Sequence, residues 1–203
     1  MNEKFAESIT RKNLIKAFAG ETQAYMRYKF ASEKAAAAQC GFIVRMLDFT
    51  ADQEKEHARI FYNYLLRCPG QAVIEQADYP AECFDDIAAY LRTAQNSENN
   101  EADVIYPLFA ETARNEGYED IAFSFERIAR IEKSHGDRFG CFAALLENAV
   151  MFRSDEETEW ICLNCGNIVS GKDAPEKCAV CGHAQGFFVP YKYYRFVFEN
   201  YTP

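Results

Sequence analysis

The chain has 203 residues, 49% of them apolar, enough for one sizeable folded domain plus a small one and too many for a disordered chain. Its net charge of −9 and the lack of a basic stripe exclude a nucleic-acid surface, so no nucleic-acid partner is expected. No stretch approaches the roughly eighteen uninterrupted apolar residues of a membrane span, and the start Met1-Asn2-Glu3-Lys4-Phe5 is charged, so a soluble, cytoplasmic protein without a membrane partner is expected.

From about Asn2 to Ala38 the spacing predicts one long helix. Its stripe reads Leu14, Phe18, Glu21, Tyr25 and Tyr28, with Glu21 where an apolar residue is due. After Cys40-Gly41 a second helix runs from about Phe42 to Arg67, striped by Ile43, Leu47, Thr50, Glu54, His57 and Phe61, and Pro69-Gly70 stops it. Residues 69–82, with Pro80, make a connection too long for a tight hairpin. The third helix spans about Cys83 to Asn115. Ile87, Leu91, Ala94, Glu98, Glu101, Ile105 and Leu108 form its stripe, and a kink is expected at Pro107, which lacks a backbone donor. Gly117 precedes a last helix from about Tyr118 to Val150, striped by Ile121, Phe125, Ile128, Glu132, His135, Phe139, Phe142 and Leu146.

Two helical pairs joined by a long crossover are the layout of an all-α, ferritin-like four-helix bundle, expected over residues 1–150. The halves echo each other: by subtraction of their numbers, Glu21 precedes Glu54 by 33 residues and Glu98 precedes Glu132 by 34, as an ancient duplication would leave them. Residues 151–203 read as an acidic linker (Asp155-Glu156-Glu157), a Cys/Gly-rich module and an aromatic tail from Tyr191 to Tyr201. The tail suits either an extra strand or packing against another subunit.

Glu54-x-x-His57 and Glu132-x-x-His135 use two of the chain's three histidines. A Glu and a His three apart on a helix point the same way and can share one metal ion. Burying an ionised carboxylate without a partner costs several kcal/mol. Five glutamates, Glu21, Glu54, Glu98, Glu101 and Glu132, nevertheless sit on the core faces of four helices. Either those carboxylates are protonated or cations offset them; two divalent ions would supply four positive charges, and the oxygen and imidazole donors suit iron or manganese, with Glu54 or Glu132 able to bridge. Tyr28 and Tyr106 lie one or two turns from Glu21 and Glu101. They are either donors to ligating carboxylates or plain core aromatics.

The eight cysteines divide into two sets. Cys40, Cys68, Cys83 and Cys141 are scattered and read as reduced thiols without a role. Cys162-x-x-Cys165-Gly and Cys178-x-x-Cys181-Gly, with twelve residues between them, form two knuckles around one tetrahedral metal, zinc or iron. Trp160, Phe187 and Phe188 can supply a small aromatic core, and His183 reads as a surface or loop hydrogen-bonding residue.

The order Phe18-Ala19-Gly20-Glu21, Glu54-x-x-His57, Glu98-x-x-Glu101 before Tyr106-Pro107, Glu132-x-x-His135 and then a four-cysteine module resembles the rubrerythrin family over about residues 5–188. The resemblance implies a non-haem di-iron centre, oxo- or carboxylate-bridged, on the seven Glu and His positions, with Glu101 and His57 exchanging at one iron as the redox state changes. It implies that the C-terminal module is rubredoxin-like, with one iron held by Cys162, Cys165, Cys178 and Cys181. The implied activity is reduction of hydrogen peroxide to water, with catalysis at the di-iron residues and protons managed near Tyr28 and Tyr106. Electrons would come from an external donor, a rubredoxin or an NAD(P)H-dependent reductase, and a head-to-tail homodimer would bring one chain's module to the other's bundle. The rival reading is a ferroxidase that handles iron. A zinc-ribbon adaptor on a helical interaction domain is a second.

Overall fold

The computed structural model describes residues 3–70, 72, 74–77, 79 and 86–194. A short helix α1 (Glu3–Ala6) ends before Ser8, whose side chain accepts from the Arg11 N–H and starts α2 (Ile9–Ala37). The expected single first helix is therefore broken at its N-terminal cap. Glu116 reinforces the start of α2 by accepting from the backbone N–H groups of Ile9 (3.0 Å) and Thr10 (2.8 Å), where the helix dipole favours an anion. Then come α3 (Gly41–Leu65), α4 (Ile87–Asn100), a π-helical turn (Glu101–Ile105), α5 (Tyr106–Asn115) and α6 (Glu119–Glu147). Helix α2 packs along α3, and α4 with α5 packs along α6, as the two predicted pairs. Cys83, Pro80 and the tail beyond Tyr194 lie outside the described residues. Among those described, no helix is long and apolar enough to cross a membrane.

The third helix departs from expectation in an informative way. The predicted stripe puts Leu108 inward, yet it is 57% exposed, and the buried series runs Leu91, Ala94, Glu98, Ala102, Tyr106, Ala110, Ala113. A π turn holds one residue more than an α turn, so every later side chain is advanced one position around the axis. The Tyr106 N–H donates to the Glu101 carbonyl five residues back, and Pro107, which has no N–H to give, follows at once. The interruption expected at Pro107 is thus a π turn that ends where the proline begins. The same residue accounts for the unequal spacings of 33 and 34. Tyr28 precedes Glu54 by 26 residues and Tyr106 precedes Glu132 by 26, by subtraction, so the extra residue lies between Glu98 and Tyr106. That interval holds the π turn.

The bundle interior is not one apolar core. A cluster with Tyr28, Phe42, Leu47, Leu91, Phe139 and Phe142 fills one end, and a cluster with Leu14, Phe61, Tyr106, Ile121 and Phe125 fills the other. Between them lies a buried polar layer: Glu21, Glu54, His57, Glu98, Glu132 and His135, each at most 4% exposed.

Beyond the bundle, β1 (Arg153–Cys162), β2 (Ile168–Asp173) and β3 (Phe188–Pro190) form an antiparallel sheet in the order β2-β1-β3, and Tyr191–Tyr194 make a helical turn, α7. Asp155-Glu156-Glu157, expected as a linker, lies inside β1, where all three residues are exposed. Tyr191, Tyr193 and Tyr194 pack against the first bundle cluster, so the described part of the tail covers its own chain. Ile161, Leu163 and Val189 join that cluster too. The junction is tight. A Cβ on Gly186 would stand 1.9 Å from the Gln39 carbonyl oxygen, and one on Gly41 would stand 2.8 Å from the Phe187 ring. Gly186→Ala should therefore lower stability by about 1–3 kcal/mol, the cost of overpacking, measured by denaturant unfolding of the full chain. An unchanged midpoint would mean that the junction yields freely.

Candidate metal centres

The polar layer draws on all four long helices. Each Glu-x-x-His pair projects inward from one helix, Glu54 and His57 from α3, Glu132 and His135 from α6, because residues three apart share a face. Glu21 comes from α2 and Glu98 from α4. Together they form two groups of four, Glu21, Glu54, His57, Glu132 and Glu54, Glu98, Glu132, His135, within each of which one donor atom per residue lies inside 4.8 Å of the others. Glu54 and Glu132 belong to both.

The distances are those of donors facing a shared point. His57 Nδ1 lies 2.8 Å from Glu132 Oε1 and 3.3 Å from Glu54 Oε2, while His135 Nδ1 lies 2.8 Å from both Glu54 Oε1 and Glu132 Oε2. These separations are short enough for hydrogen bonds, but the angles are wrong. Both nitrogens, all four oxygens of Glu54 and Glu132, and Oε2 of Glu21 and of Glu98 are buried without a hydrogen-bond partner. Such orphaned groups cost about 1–3 kcal/mol each, more when charged. Two donors at right angles, about 2.1 Å from one cation, lie about 3.0 Å apart, so the spacing fits a pair of metal ions bridged by Glu54 and Glu132.

Electrostatics separates the bridging carboxylates from the rest. Burial, then the charge of Glu132, raises Glu21 well above the ordinary carboxyl range; burial, then Glu54, pushes Glu98 up to about 8. Burial opposes ionisation of Glu54 and Glu132 as well, but the histidines outweigh it and hold both below their ordinary values. The carboxylates in turn keep both imidazoles well above theirs against the effect of burial, Glu132 foremost at His57 and Glu54 at His135. A metal ion needs a bare imidazole nitrogen and ionised carboxylates, so metal uptake competes with protons at this layer.

The two tyrosines are donors to the site carboxylates, not plain core aromatics, and they act crosswise. Tyr28 Oη donates to Glu98 Oε1 from the first apolar cluster, and Tyr106 Oη donates to Glu21 Oε1 from the second. Each thereby fixes one oxygen of a carboxylate whose other oxygen faces the layer. Tyr106→Phe should weaken metal binding about tenfold to a hundredfold, the usual cost of losing an outer partner, measured by metal titration against a chelator. Unchanged affinity would reduce Tyr106 to packing.

Glu101 is not brought into either group. It opens the π turn, where burial and then Glu98 raise its carboxyl. It lines a cavity of about 370 Å³ with Gly20, Arg27, Tyr79, Val104 and Tyr106. Of the two residues expected to alternate at one metal, His57 stands in the group and Glu101 outside it. Sequence reasoning missed the cavity, since Tyr79 belongs to the crossover and meets Glu101 only across Gly20. It also missed Gln53 and Arg138, which meet at the outer edge of His135. Their signal was a pair of polar residues flanking the Glu-His phrases.

In the C-terminal module Cys162 Sγ lies 3.7 Å from Cys181 Sγ, and Cys165 Sγ lies 3.7 Å from Cys178 Sγ. That is far too long for a disulfide. Four sulfurs about 2.3 Å from a tetrahedral centre lie about 3.8 Å apart, so the set fits one metal. Both knuckle glycines, Gly166 and Gly182, adopt φ of +76°, which turns the backbone around the sulfurs as expected. The backbone N–H of His183 lowers the Cys181 thiol to about 6. Trp160 and Phe188 are fully buried in the module core, while Phe187 turns toward the bundle and meets the ring of His183. The His183 side chain makes the expected loop contact, from Nδ1 to the Cys181 carbonyl at 3.4 Å.

A family model described as Rubrerythrin matches residues 12–142, and one described as the rubredoxin-like domain of rubrerythrin matches residues 160–189. The chain belongs to the rubrerythrin family. It is 40% identical to the rubrerythrin of Porphyromonas gingivalis over 192 residues, covering 95% of this chain and 94% of that protein. It is likewise 40% identical to the rubrerythrin of Clostridium perfringens over 184 residues, covering 90% and 94%. A solved structure of nigerythrin in a partially reduced state superposes with a TM-score of 0.61 at 26% identity, covering 90% of this chain and 86% of that one. Rubrerythrins are iron-dependent oxidoreductases known for their part in oxidative stress. They carry a di-iron site in the bundle and an iron site in the rubredoxin-like domain, work with redox partners and oligomerise. Both donor sets described above fit those irons.

Proposed function

We propose that this chain is a di-iron peroxidase that reduces hydrogen peroxide to water with electrons relayed through its thiolate-bound iron. The observation that carries the reading is the pair of interlocked donor groups, sharing Glu54 and Glu132, in one chain with a four-sulfur site. Glu21, Glu54, His57 and Glu132 would hold one iron; Glu54, Glu98, Glu132 and His135 the other. Glu101 would be the residue that replaces His57 when the redox state changes. When bound, the irons supply the two electrons and the Lewis acidity that split the O–O bond, two protons being taken up for two waters formed.

The chain's own residues do the rest. Glu54 and Glu132 keep the two positions together, and Tyr28 and Tyr106 orient Glu98 and Glu21 and hold protons at their Oη atoms. The cavity beside Glu101 is the right size to admit a small oxidant, and the flanking apolar clusters exclude bulk water. Cys162, Cys165, Cys178 and Cys181 would hold the relay iron, refilled by a rubredoxin or an NAD(P)H-dependent reductase. We assign the bundle to residues 1–150 and the module to 151–203, and place the protein in the cytoplasm. Within one chain the module meets α3 at Gly41, about 20 Å of helix from Glu54, which favours a head-to-tail homodimer for electron delivery.

The test is turnover by the iron-loaded protein with NADH, a reductase and rubredoxin. Peroxide consumption several times faster than aerobic oxidation of added ferrous ion is the expected result. The opposite order would make it a ferroxidase.

A further inference from the structure

The two histidines occupy matching places in the two halves of the bundle, yet their outer nitrogens meet different surroundings. His135 Nε2 lies 3.1 Å from Gln53 Oε1. Arg138 Nη1 lies 3.5 Å from the same oxygen and donates to Thr50 Oγ1 at 2.8 Å. Thr50 Oγ1 in turn donates to the Met46 carbonyl at 3.0 Å, and the Arg138 guanidinium lies 5.2 Å over the Phe49 ring. Most of this chain is buried, with Thr50 0% exposed, His135 0% and Arg138 7%, and Gln53 is half-buried at its outer edge.

The mirrored positions around His57 carry no such chain. Counting from the two Glu-x-x-His phrases, Thr50 corresponds to Ile128, Gln53 to Ile131 and Arg138 to Ile60. Three polar residues at one histidine are three isoleucines at the other. Among the described residues, no hydrogen bond reaches His57 Nε2.

We propose that Gln53, backed by Arg138, is a positioning residue that fixes His135 and makes its half of the di-metal site the tighter one. The inference rests on the ligand assignment above. A side-chain amide oxygen only accepts, so it selects the imidazole form with hydrogen on Nε2 and a bare lone pair on Nδ1, the atom facing Glu54 and Glu132. Arg138 holds that oxygen in place and is itself held by Thr50. Fixing tautomer and ring angle before metal arrives removes an ordering cost from that position, and loss of such outer partners usually weakens binding about tenfold to a hundredfold. His57, with its ring held only from the metal side, keeps the freedom to turn.

The test is a cobalt(II) titration of the metal-free full chain. Thiolate charge-transfer bands report the cysteine site, and weaker visible d–d bands report the bundle. The unaltered chain should fill the bundle in two steps. Gln53→Leu should shift one step by about tenfold to a hundredfold and leave the other in place, Gln53→Glu should restore it by keeping an acceptor, and Thr50→Val should shift the same step less. Equal weakening of both steps, or no change in either, overturns the proposal. An unaltered chain whose bundle takes up no cobalt overturns the ligand assignment and the proposal with it. Unchanged helical circular dichroism in each variant establishes that its bundle has folded.

Discussion

Glu132→Ala should bring reductase-driven peroxide turnover below about one per cent of the unaltered chain, because losing a ligand shared by two metals must exceed the tenfold to hundredfold effect of losing an outer partner. Glu132 lies in both donor groups, 2.8 Å from each histidine. The variant should also lose the stabilisation that metal gives. Binding to the folded state alone adds about 4 kcal/mol at a thousandfold excess of metal over its dissociation constant, so a clear rise in melting temperature on metal addition should vanish. Turnover that survived the substitution would refute the site.

Cys178→Ser should separate the two centres. Cys178 is buried in the module core, opposite Cys165 across the sulfur set. Serine stays protonated at neutral pH and is a poor ligand for iron, so the visible absorption of the ferric thiolate site should disappear. Turnover fed by the reductase should fall at least a hundredfold, again beyond the cost of an outer partner. Because the bundle layer is built from helices outside the module, chemically reduced protein should still consume one equivalent of peroxide in a single round. Undiminished reductase-driven turnover would show that electrons enter the bundle without the module.

Much of this site can be read from one sequence, and the reason is energetic. A carboxylate on an apolar stripe is costly enough to be an anomaly at every position where it occurs, so Glu21, Glu54, Glu98 and Glu132 advertise themselves, and a helix converts three-residue spacing into a shared direction for His57 and His135. The knuckle cysteines are legible for the same local reason. What the sequence hides is whatever depends on helical phase or on contacts across helices. Leu108 fits an α-helical stripe and is nevertheless exposed, because the turn at Glu101–Ile105 advances the phase by one residue. The partners of Tyr28 and Tyr106 are hidden too, since each reaches across to another helix rather than along its own. The acidic run in β1 looks like a linker because all three of its residues face water, and only the backbone pairing with neighbouring strands marks it as sheet.

The extra residue of the π turn bears on more than phase. Position for position, the site repeats itself across the bundle, and Glu101 falls where the other half has Ala24, three residues after Glu21. A duplicated four-helix scaffold would by default offer identical surroundings to both irons. Here one half owns a spare oxygen donor and the other a bare methyl, so one glutamate facing one alanine makes a balanced cage lopsided. Equivalence between the irons ends there, and with it any expectation that both give up electrons at the same potential.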